Sequence, residues 1–397
     1  MNKFIAGGCL LLSVLTLSCT SGIREKGEIG KTASVEQSAF SQEQVKPLYA
    51  QGFKLTYADQ YLLADIQDPQ NEESTTFHYA FVKRGAKPTG IPADYTVIEL
   101  PIRSVICMTS LQLSNFIKLG ALDRVVGITS TRHLFNKEMN ERLKEGKTAK
   151  IGIEGNFDNE VIMSMNPDLI LVSPFKRGGY ETLKDVGIPL IPHLGYKETT
   201  PLGQAEWIKF VGLLLGIEKD GNERFATIEK RYNELKELTA DGKVKKRPIV
   251  FSGELRRPIV FSGELRGGNW YAVGGKSFLA QLFKDAGADY FLKDDEQSGG
   301  VTLDFETVYN QADDADYWRI VNSFPGTFSY EALKEQDPRY EDFRAFREKG
   351  IIYCNMKNTP FYESMPTEPE IVLADLLHIF HPDLLPDHES VYYSRLK

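Results

Sequence analysis

Residues 220–239, DGNERFATIEKRYNELKELT, carry apolar side chains at the spacing of one helical face. The side chains that recur every three or four positions are Phe225, Ile228, Tyr232, Leu235 and Leu238. We predict one amphipathic helix, with Asp220 and Asn222 capping its first turn and Gly242 and Pro248 ending it. At ~1.5 Å per residue this helix is roughly 30 Å long, enough to join two domains. The alternative is an ordinary core helix within one domain.

Strands and helices alternate on both sides of this helix. Before it we predict strands at 104–108, 125–129, 167–173 and 188–193, and helices at 110–121, 159–166, 178–187 and 201–215. After it we predict strands within 247–266 and at 316–323 and 351–356, and helices at 276–288, 305–312, 340–350 and 369–382. The alternation predicts an α/β protein of two Rossmann-like lobes, each with a parallel sheet, joined by the single long helix.

The predicted domain boundaries follow these patterns. They are a lipoprotein signal peptide at 1–19, a flexible tether at 20–50, a β-meander extension at 51–96, an N-terminal lobe at 97–218, the bridging helix at 219–242 and a C-terminal lobe at 243–397. The decapeptide RPIVFSGELR occurs twice in succession, at 247–256 and 257–266. Since one position in a sheet takes one strand, we expect the second copy to supply the inner strand.

The first nineteen residues indicate export. Lys3 precedes an apolar run at 4–17, and Ser18 precedes Cys19, a pattern typical of a bacterial lipoprotein signal. We predict a periplasmic protein attached to a membrane only through a lipid on Cys19. A plain secretory signal is the alternative.

Charge and cysteine content narrow the function further. The net charge of −8 argues against a nucleic-acid partner, which requires a basic surface. Of the four cysteines, Cys107 and Cys354 lie in apolar runs of the two predicted lobes. We predict that both are buried free thiols.

Basic and aromatic side chains gather in the loops that follow the predicted strands. Parallel sheets bind ligands beyond the carboxyl ends of their strands, so these side chains are the candidate ligand contacts. They are Arg132, His133, Lys176 and Arg177 on one wall and Trp270, Tyr271, Phe324 and Tyr362 on the other. Such a lining suits a bulky, partly flat, anionic ligand.

A pair of glutamates occupies matching positions in the two lobes. The segments FDNEVIMSMNPDLILV (157–172) and LDFETVYNQADDADYWRIV (303–321) share an aspartate, a glutamate two residues later, a helix and a strand. Glu160 and Glu306 are these glutamates. A carboxylate in the first turn also suits the helix dipole, so either one alone has an ordinary explanation. The repetition favours two outward contacts with a two-fold partner.

From about residue 97 to residue 384 the chain resembles the periplasmic substrate-binding proteins of ABC importers for iron-siderophores, haem or cobalamin. The resemblance rests on SVICMTSLQLSNFIKLGALDRVVGIT, NEVIMSMNPDLILV, the long helix after GLLLGIEKD, and a late helix ending in LHIFHPDLL. It implies two lobes bridged by a rigid helix around a shallow cleft, with Glu160 and Glu306 facing arginines of a permease dimer. The β-rich extension and the repeated decapeptide depart from the family pattern, and we expect both to lie outside the cleft.

The resulting prediction is a receptor without catalytic residues or a resident cofactor. Its cargo is a small-molecule metal chelate, an iron-siderophore or haem, and His133, Tyr271 or Tyr362 could ligate haem iron. Cobalamin is the alternative cargo within the same class.

Other classes of function find less support in the sequence. A chelatase or hydrolase lacks its usual motifs here: there is no Gly-x-Ser-x-Gly, His-Glu-x-x-His or Cys-x-x-Cys. A bare Zn or Mn ion between the lobes would have only His133 and His193 on the predicted cleft loops. His378 and His381 share one helical face and could bind a metal, although histidines at a helix end are more often structural.

Overall fold

The computed structural model describes residues 40, 43–129, 131, 134–153, 156–173, 183–184, 186–240 and 258–397. The predicted signal peptide and Cys19, the first decapeptide copy and nearly all of the helix predicted at 178–187 lie outside these residues. The α/β class is confirmed, with two mainly parallel sheets.

The N-terminal extension is a four-stranded sheet in the order β1-β2-β3-β4. Its strands are β1 (Phe53–Tyr57), β2 (Tyr61–Ile66), β3 (Phe77–Lys83) and β4 (Thr96–Leu100). The first three form the predicted meander, and β2 buries every second side chain, as expected for a sheet with one face on a core. The fourth strand pairs parallel to β3, so the extension continues past the predicted boundary at residue 96.

The first lobe contains a five-stranded parallel sheet in the order β7-β6-β5-β10-β11. Its elements are β5 (Val105–Cys107), α1 (Ser110–Leu119), β6 (Val125–Ile128), α2 (Lys137–Lys144), β7 (Ala149–Lys150), β8 (Gly152–Ile153), β9 (Asn156–Phe157), α3 (Asn159–Met165), β10 (Leu169–Val172), β11 (Leu190–Pro192) and α4 (Pro201–Leu215). The short strands β8 and β9 form a separate antiparallel pair. The central strands β5 and β10 are entirely buried, since helices cover a parallel sheet on both faces.

The bridging helix α5 extends over Glu218–Lys236, followed by one 3-10 turn. The predicted apolar face is confirmed at Phe225, Ile228, Tyr232 and Leu235, which are buried, while Leu238 is partly buried. The predicted cap is wrong, because the helix begins two residues before Asp220 and its N-cap residue makes no side-chain hydrogen bond.

The two ends of α5 lie against different lobes. Just before its start, a β-carbon added at Gly216 would lie 3.0 Å from Pro101, which leads into β5 of the first lobe. At its end, Lys236 Nζ lies 3.1 Å from Asp285 Oδ1 of the second lobe, and Tyr232 donates to the other oxygen of that carboxylate at 2.7 Å. The helix therefore begins at one lobe and ends in the other.

The second lobe also contains a five-stranded, mainly parallel sheet. Its elements are β12 (Ile259–Ser262), β13 (Glu264–Arg266), β14 (Asn269–Val273), α6 (Phe278–Asp285), β15 (Asp289–Tyr290), β16 (Gly300–Leu303), α7 (Phe305–Ala312), β17 (Tyr317–Asn322), α8 (Tyr330–Gln336), α9 (Arg344–Arg347), β18 (Ile351–Asn355), α10 (Phe361–Ser364), α11 (Pro369–Phe380) and β19 (Ser394–Arg395). The main sheet has the order β15-β12-β17-β18-β19, and its first four strands are parallel.

By order in the chain, the first sheet places its strands as third, second, first, fourth and fifth, and the second sheet as second, first, third, fourth and fifth. In both sheets the order reverses at the first strand, β5 or β12. Both are common doubly wound arrangements, whose ligands bind where the strand order reverses. The second decapeptide copy supplies β12, an inner strand as predicted, and also β13. The strands β13, β14 and β16 form an additional antiparallel sheet, in which β14 occupies residues that were predicted to be a loop.

The segment from residue 43 to residue 52 is part of the folded body rather than a tether. The amide groups of Gln51 and Gly52 donate to Glu198, at 3.0 and 2.9 Å. Tyr49 donates its hydroxyl proton to Glu229 of α5 at 2.6 Å. The predicted flexible tether is therefore wrong for residues 43–50, because this segment is hydrogen-bonded to α4 and α5.

Candidate ligand cleft and docking surface

A cavity of about 380 Å³ lies between the two lobes. It is lined by Gln70, Tyr196, Lys197, Glu198, Val273, Ser277, Phe278, Leu279, Ser298, Gly299 and Gly300. The first lobe contributes the turn after β11, and the second lobe contributes the end of β14 and the start of α6. The turn after β11 lies at the carboxyl end of a parallel strand, the end at which parallel sheets bind ligands.

The N-terminal extension also reaches this cavity, through the loop between β2 and β3. Lys197 Nζ lies 3.0 Å from Asp68 Oδ2, which fixes the start of this loop to the first lobe. Asp68 also accepts the amide hydrogen of Gln70 at 2.9 Å. A β-carbon added at Gly299 would lie 3.9 Å from the Gln70 side-chain oxygen. The prediction that the extension lies outside the cleft is wrong.

The charged groups in the described wall of the cavity are already paired within the protein. Lys197 binds Asp68, as above. Glu198 is buried, and its carboxylate accepts hydrogen bonds from the Gln51 and Gly52 amides and from Trp207 Nε1 at 2.9 Å. Burial raises the pKa of the Glu198 carboxyl despite these donors. The described wall therefore presents amide, hydroxyl and apolar groups to a ligand, and no unpaired charge.

Of the eight predicted ligand contacts, the four basic ones, Arg132, His133, Lys176 and Arg177, lie outside the described residues. Trp270 requires a correction, because its side chain is buried in the second lobe and its indole nitrogen donates to the Ser262 carbonyl at 3.0 Å. Trp270 belongs to β14, whose alternate side chains point into the core. It is not available to a ligand.

The remaining three aromatic candidates lie at separate places. Tyr362 is 39% exposed on α10, which packs against α1 of the other lobe. Phe324 is half-buried after β17, with its ring centroid 5.1 Å from that of Phe328. Tyr271 is 50% exposed on β14, two residues before Val273 of the cavity wall. The structure does not join them into one cluster, and none of them is among the residues that line the cavity.

Buried polar side chains support the strand ends of the first lobe. Gln112 donates to Ser173 Oγ at 3.1 Å and accepts the Met108 amide hydrogen at 2.7 Å. His193 was predicted on a cleft loop, but it is buried against Trp207, with ring centroids 4.6 Å apart. Burial lowers the pKa of His193 to about 4, so the imidazole is neutral at physiological pH. These buried groups hold the residues that follow the strand ends in place.

The two glutamates predicted for docking occupy equivalent places in the two lobes. Glu160 is the second residue of α3 and Glu306 the second residue of α7, and each helix precedes a strand that pairs with the first strand of its sheet, β10 beside β5 and β17 beside β12. Each helix is capped by an aspartate two residues earlier: Asp158 accepts from the Val161 amide at 3.0 Å and Asp304 from the Thr307 amide at 2.6 Å. Both glutamates are exposed. The sequence signal for this equivalence was the shared order of a capping aspartate, a glutamate two residues later, a helix and a strand.

The two glutamates differ in their immediate surroundings. The Glu306 carboxylate lies 3.5 Å from an Arg339 guanidinium nitrogen, and its side chain remains 74% exposed. Arg339 is itself held by Asp337 at 2.7 Å and lies over the Phe305 ring at 4.0 Å. A partner that binds Glu306 would therefore compete with Arg339 for this carboxylate.

The histidines and helices in the described part of the chain bear on two other functions, metal binding and membrane insertion. In that part, no three or more His, Cys, Asp or Glu side chains are arranged to hold a metal ion. His378 and His381 therefore belong to no such group. His378 Nδ1 instead lies 2.8 Å from the Leu385 carbonyl. Among the described helices, none combines the length and apolarity needed to span a bilayer.

Comparison with known proteins places this fold among extracytoplasmic binding proteins. A family model described as periplasmic binding protein matches residues 105–357. An uncharacterized lipoprotein of Methanocaldococcus jannaschii is 24% identical, over 99% of this chain and 96% of its own.

Two solved structures share the fold at lower sequence identity. One is titled an ABC-type Fe3+-hydroxamate transport system from Saccharomonospora viridis, with 22% identity, a TM-score of 0.52, and coverage of 71% of this chain and 94% of that one. The other is a periplasmic heme binding protein from Pseudomonas aeruginosa, with 16% identity, a TM-score of 0.54, and coverage of 71% and 93%.

Proposed function

The chain belongs to the periplasmic binding protein family, and from that premise we propose that it is a membrane-tethered receptor delivering a metal chelate to an ABC importer. The family consists of substrate-binding receptors rather than enzymes. The observation that carries the proposal is the equivalence of Glu160 and Glu306. Both are exposed at the second position of a helix, and the strand after each helix pairs with the first strand of its sheet. A dimeric permease with one cation on each subunit is the partner that such a pair fits.

The proposed cargo is an iron-siderophore or haem, bound between the lobes. Two solved neighbours of this fold carry a hydroxamate-transport and a heme-binding description, which supports this class of ligand. Tyr362 and Phe324 supply partly exposed aromatic surface, and Tyr362 lies on α10, which packs against α1 of the first lobe. The predicted basic contacts Arg132, His133, Lys176 and Arg177 would bind the acidic groups of such a chelate.

The cavity next to Gln70 would hold an uncharged portion of this ligand. Its volume of about 380 Å³ accommodates a small group rather than a complete chelate. Gln70 offers an amide, Ser277 and Ser298 offer hydroxyls, and Phe278 supplies apolar area. Cobalamin, the alternative cargo, has neutral amide groups that such a wall also fits.

Attachment to the membrane through Cys19 completes the proposal. The Methanocaldococcus jannaschii relative, which aligns over nearly the whole chain, is described as a lipoprotein. The described residues from 43 onward lie beside α4 and α5, to which Leu48 and Tyr49 are hydrogen-bonded. A lipid on Cys19 would keep the receptor near its permease, which raises the local concentration for docking.

The direct test is to identify what the protein carries. The chain is purified from its native host, and released ligand is analysed by mass spectrometry while the absorbance spectrum is checked for a Soret band. Intrinsic fluorescence titrations with haemin, ferric desferrioxamine B and cyanocobalamin then rank the three classes. We expect one iron-containing chelate to bind tightly and to be recovered chemically unaltered.

Two results would contradict the proposal. If none of the three probes binds and no ligand co-purifies, the receptor assignment is wrong. Recovery of a chemically altered probe would favour the enzyme alternative. Preferential binding of cyanocobalamin would keep the receptor and replace the cargo.

A further inference from the structure

Two exposed apolar side chains, Ile153 and Tyr271, lie on corresponding antiparallel strand pairs in the two lobes. Ile153 on β8 is 66% exposed, and Tyr271 on β14 is 50% exposed. In the backbone register, Ile153 is opposite Asn156 on β9, and Tyr271 is opposite Thr302 on β16. Directly opposed residues of an antiparallel pair point to the same face of the sheet.

The register relates both side chains to the docking glutamates in the same way. Asn156 is two residues before the capping aspartate of α3, and Thr302 is two residues before the capping aspartate of α7. Glu160 and Glu306 follow those aspartates by two residues. Ile153 and Tyr271 are therefore equivalent positions of the two lobes, although their separations along the chain from the glutamates differ greatly.

Both side chains lie on the solvent face of their strand pairs. Asn156 and Thr302 are exposed, as are the aspartates that cap α3 and α7. On β14 the neighbours of Tyr271, Trp270 and Ala272, are buried, so the core contacts of this strand are made by its other face. Tyr271 therefore lies on the face of β14 that is turned away from the core.

The N-terminal lobe extends this apolar surface along α3. Met163 is 52% exposed and lies three residues, about one helical turn, after Glu160. Isolated apolar side chains on a surface are common and have no special meaning. An apolar side chain beside an acidic one, repeated at equivalent positions of two lobes, is not explained by chance exposure, and it matches a partner that is itself two-fold symmetric.

We propose that Ile153 and Tyr271 are the apolar half of the docking surface, and that each contacts one of the two symmetry-related permease subunits beside the cation that binds Glu160 or Glu306. This inference rests on the proposed function and assigns Tyr271 to the permease in addition to its predicted place near the ligand. Charge pairs of exposed groups guide association, whereas buried apolar contacts lengthen the life of a complex. The docked state would therefore depend on both.

The experiment measures binding of the full-length, ligand-free protein to nanodiscs that contain the importer permease of its native host. Using ligand-free protein keeps any effect on cargo out of the measurement. The variants are Ile153→Ser, Tyr271→Ser and the double variant, with Leu48→Ser as the matched control. Leu48 is 71% exposed and lies in the N-terminal segment bound to α4. A charge-reversed Glu160→Lys/Glu306→Lys protein is measured in parallel.

We expect each single variant to weaken permease binding roughly tenfold, which corresponds to partial loss of one buried apolar side chain. The double variant should lose about a hundredfold, because the two sites are independent. The losses should persist at high salt, while the effect of charge reversal should shrink. Equal thermal unfolding of all variants would show that folding is unaffected.

The experiment distinguishes failure of the proposed receptor function from failure of the apolar docking pair. If the unmodified protein does not bind the permease, the proposed function is wrong. If it binds, and charge reversal prevents binding while Ile153→Ser and Tyr271→Ser behave like Leu48→Ser, the proposed function stands and the apolar docking pair is wrong.

Discussion

Glu206 and Lys209 form a buried ion pair on α4, with Oε1 and Nζ 2.7 Å apart. The same carboxylate accepts the amide hydrogens of Leu48 at 2.9 Å, Tyr49 at 2.7 Å and Ala50 at 2.8 Å. These donors compensate the cost of burying the negative charge of Glu206. The N-terminal segment therefore supplies hydrogen bonds that the buried ion pair requires. The segment therefore contributes to the stability of the first lobe.

Replacing Glu206 with alanine should destabilise the protein strongly. The change leaves the Lys209 ammonium, 8% exposed, without its carboxylate and leaves the amides of the segment without their acceptor. Breaking a buried pair in this way costs about 3 to 5 kcal/mol. Urea unfolding followed by circular dichroism measures the loss.

The matched control is Lys230→Ala on the surface of α5. Lys230 and Glu234 are separated by 4.0 Å and are 80% and 51% exposed, so no measurable change is expected. Equal effects of the two substitutions would show that the N-terminal segment is not held by Glu206.

The pH dependence of stability should contain a contribution from His193. Burial lowers its folded pKa from 6.5 to about 4, so between these pH values the unfolded chain binds one proton more than the folded chain. The free energy of unfolding should therefore fall as the pH falls from 6.5 to 4, by roughly 3 kcal/mol from this group alone. Urea unfolding at several pH values, compared with His193→Gln, measures it. An unchanged pH slope in the variant would contradict the assignment.

The two lobe thiols should be inert in the folded protein. Cys107 and Cys354 are buried and unbridged, and burial raises the pKa of both, that of Cys354 to about 11. Because only the thiolate reacts with a disulfide reagent, a chain lacking residues 1–19 should give no reaction at pH 8. Both thiols should react after denaturation in guanidinium. Rapid reaction of one thiol in the native protein would place it at the surface or in a mobile region.

The loop of the extension should affect cargo rather than docking. Gln70 lines the interlobe cavity, so Gln70→Ala should weaken binding of the preferred probe, haemin or ferric desferrioxamine B, about threefold to tenfold through loss of one hydrogen bond. Glu73→Gln in the same loop is the control, because its side chain is exposed. Fluorescence titration gives both affinities. Identical affinities for the two variants would mean that the loop does not touch the ligand.

Local signals predicted much of the fold. The helix predicted at 305–312 is observed over Phe305–Ala312, because Asp304 supplies an unambiguous cap and the apolar positions follow one face. The buried face of α5 was predicted for the same reason. The helix predicted at 340–350 is reduced to Arg344–Arg347 after a 3-10 turn, because Phe343 is extended and interrupts it.

The errors in the site involve contacts between distant parts of the chain. Trp270 was expected in the cleft because its short strand was interpreted as a loop, and only pairing with β13 and β16 determines which side chains of that strand are buried. The Lys197–Asp68 ion pair brings the extension to the cavity, and no local pattern indicates that pairing. The equivalence of Glu160 and Glu306 was detectable because it repeats within the sequence itself.

The most direct test of the receptor account is ligand uptake by cells that carry the native importer and the Glu160→Lys/Glu306→Lys protein. The control, Glu138→Lys/Glu335→Lys, makes the same charge change at one exposed glutamate in each lobe. The account predicts that uptake of the co-purified ligand is lost in the first variant and normal in the control, with equal ligand affinity in both. Normal uptake by the Glu160→Lys/Glu306→Lys protein would contradict it.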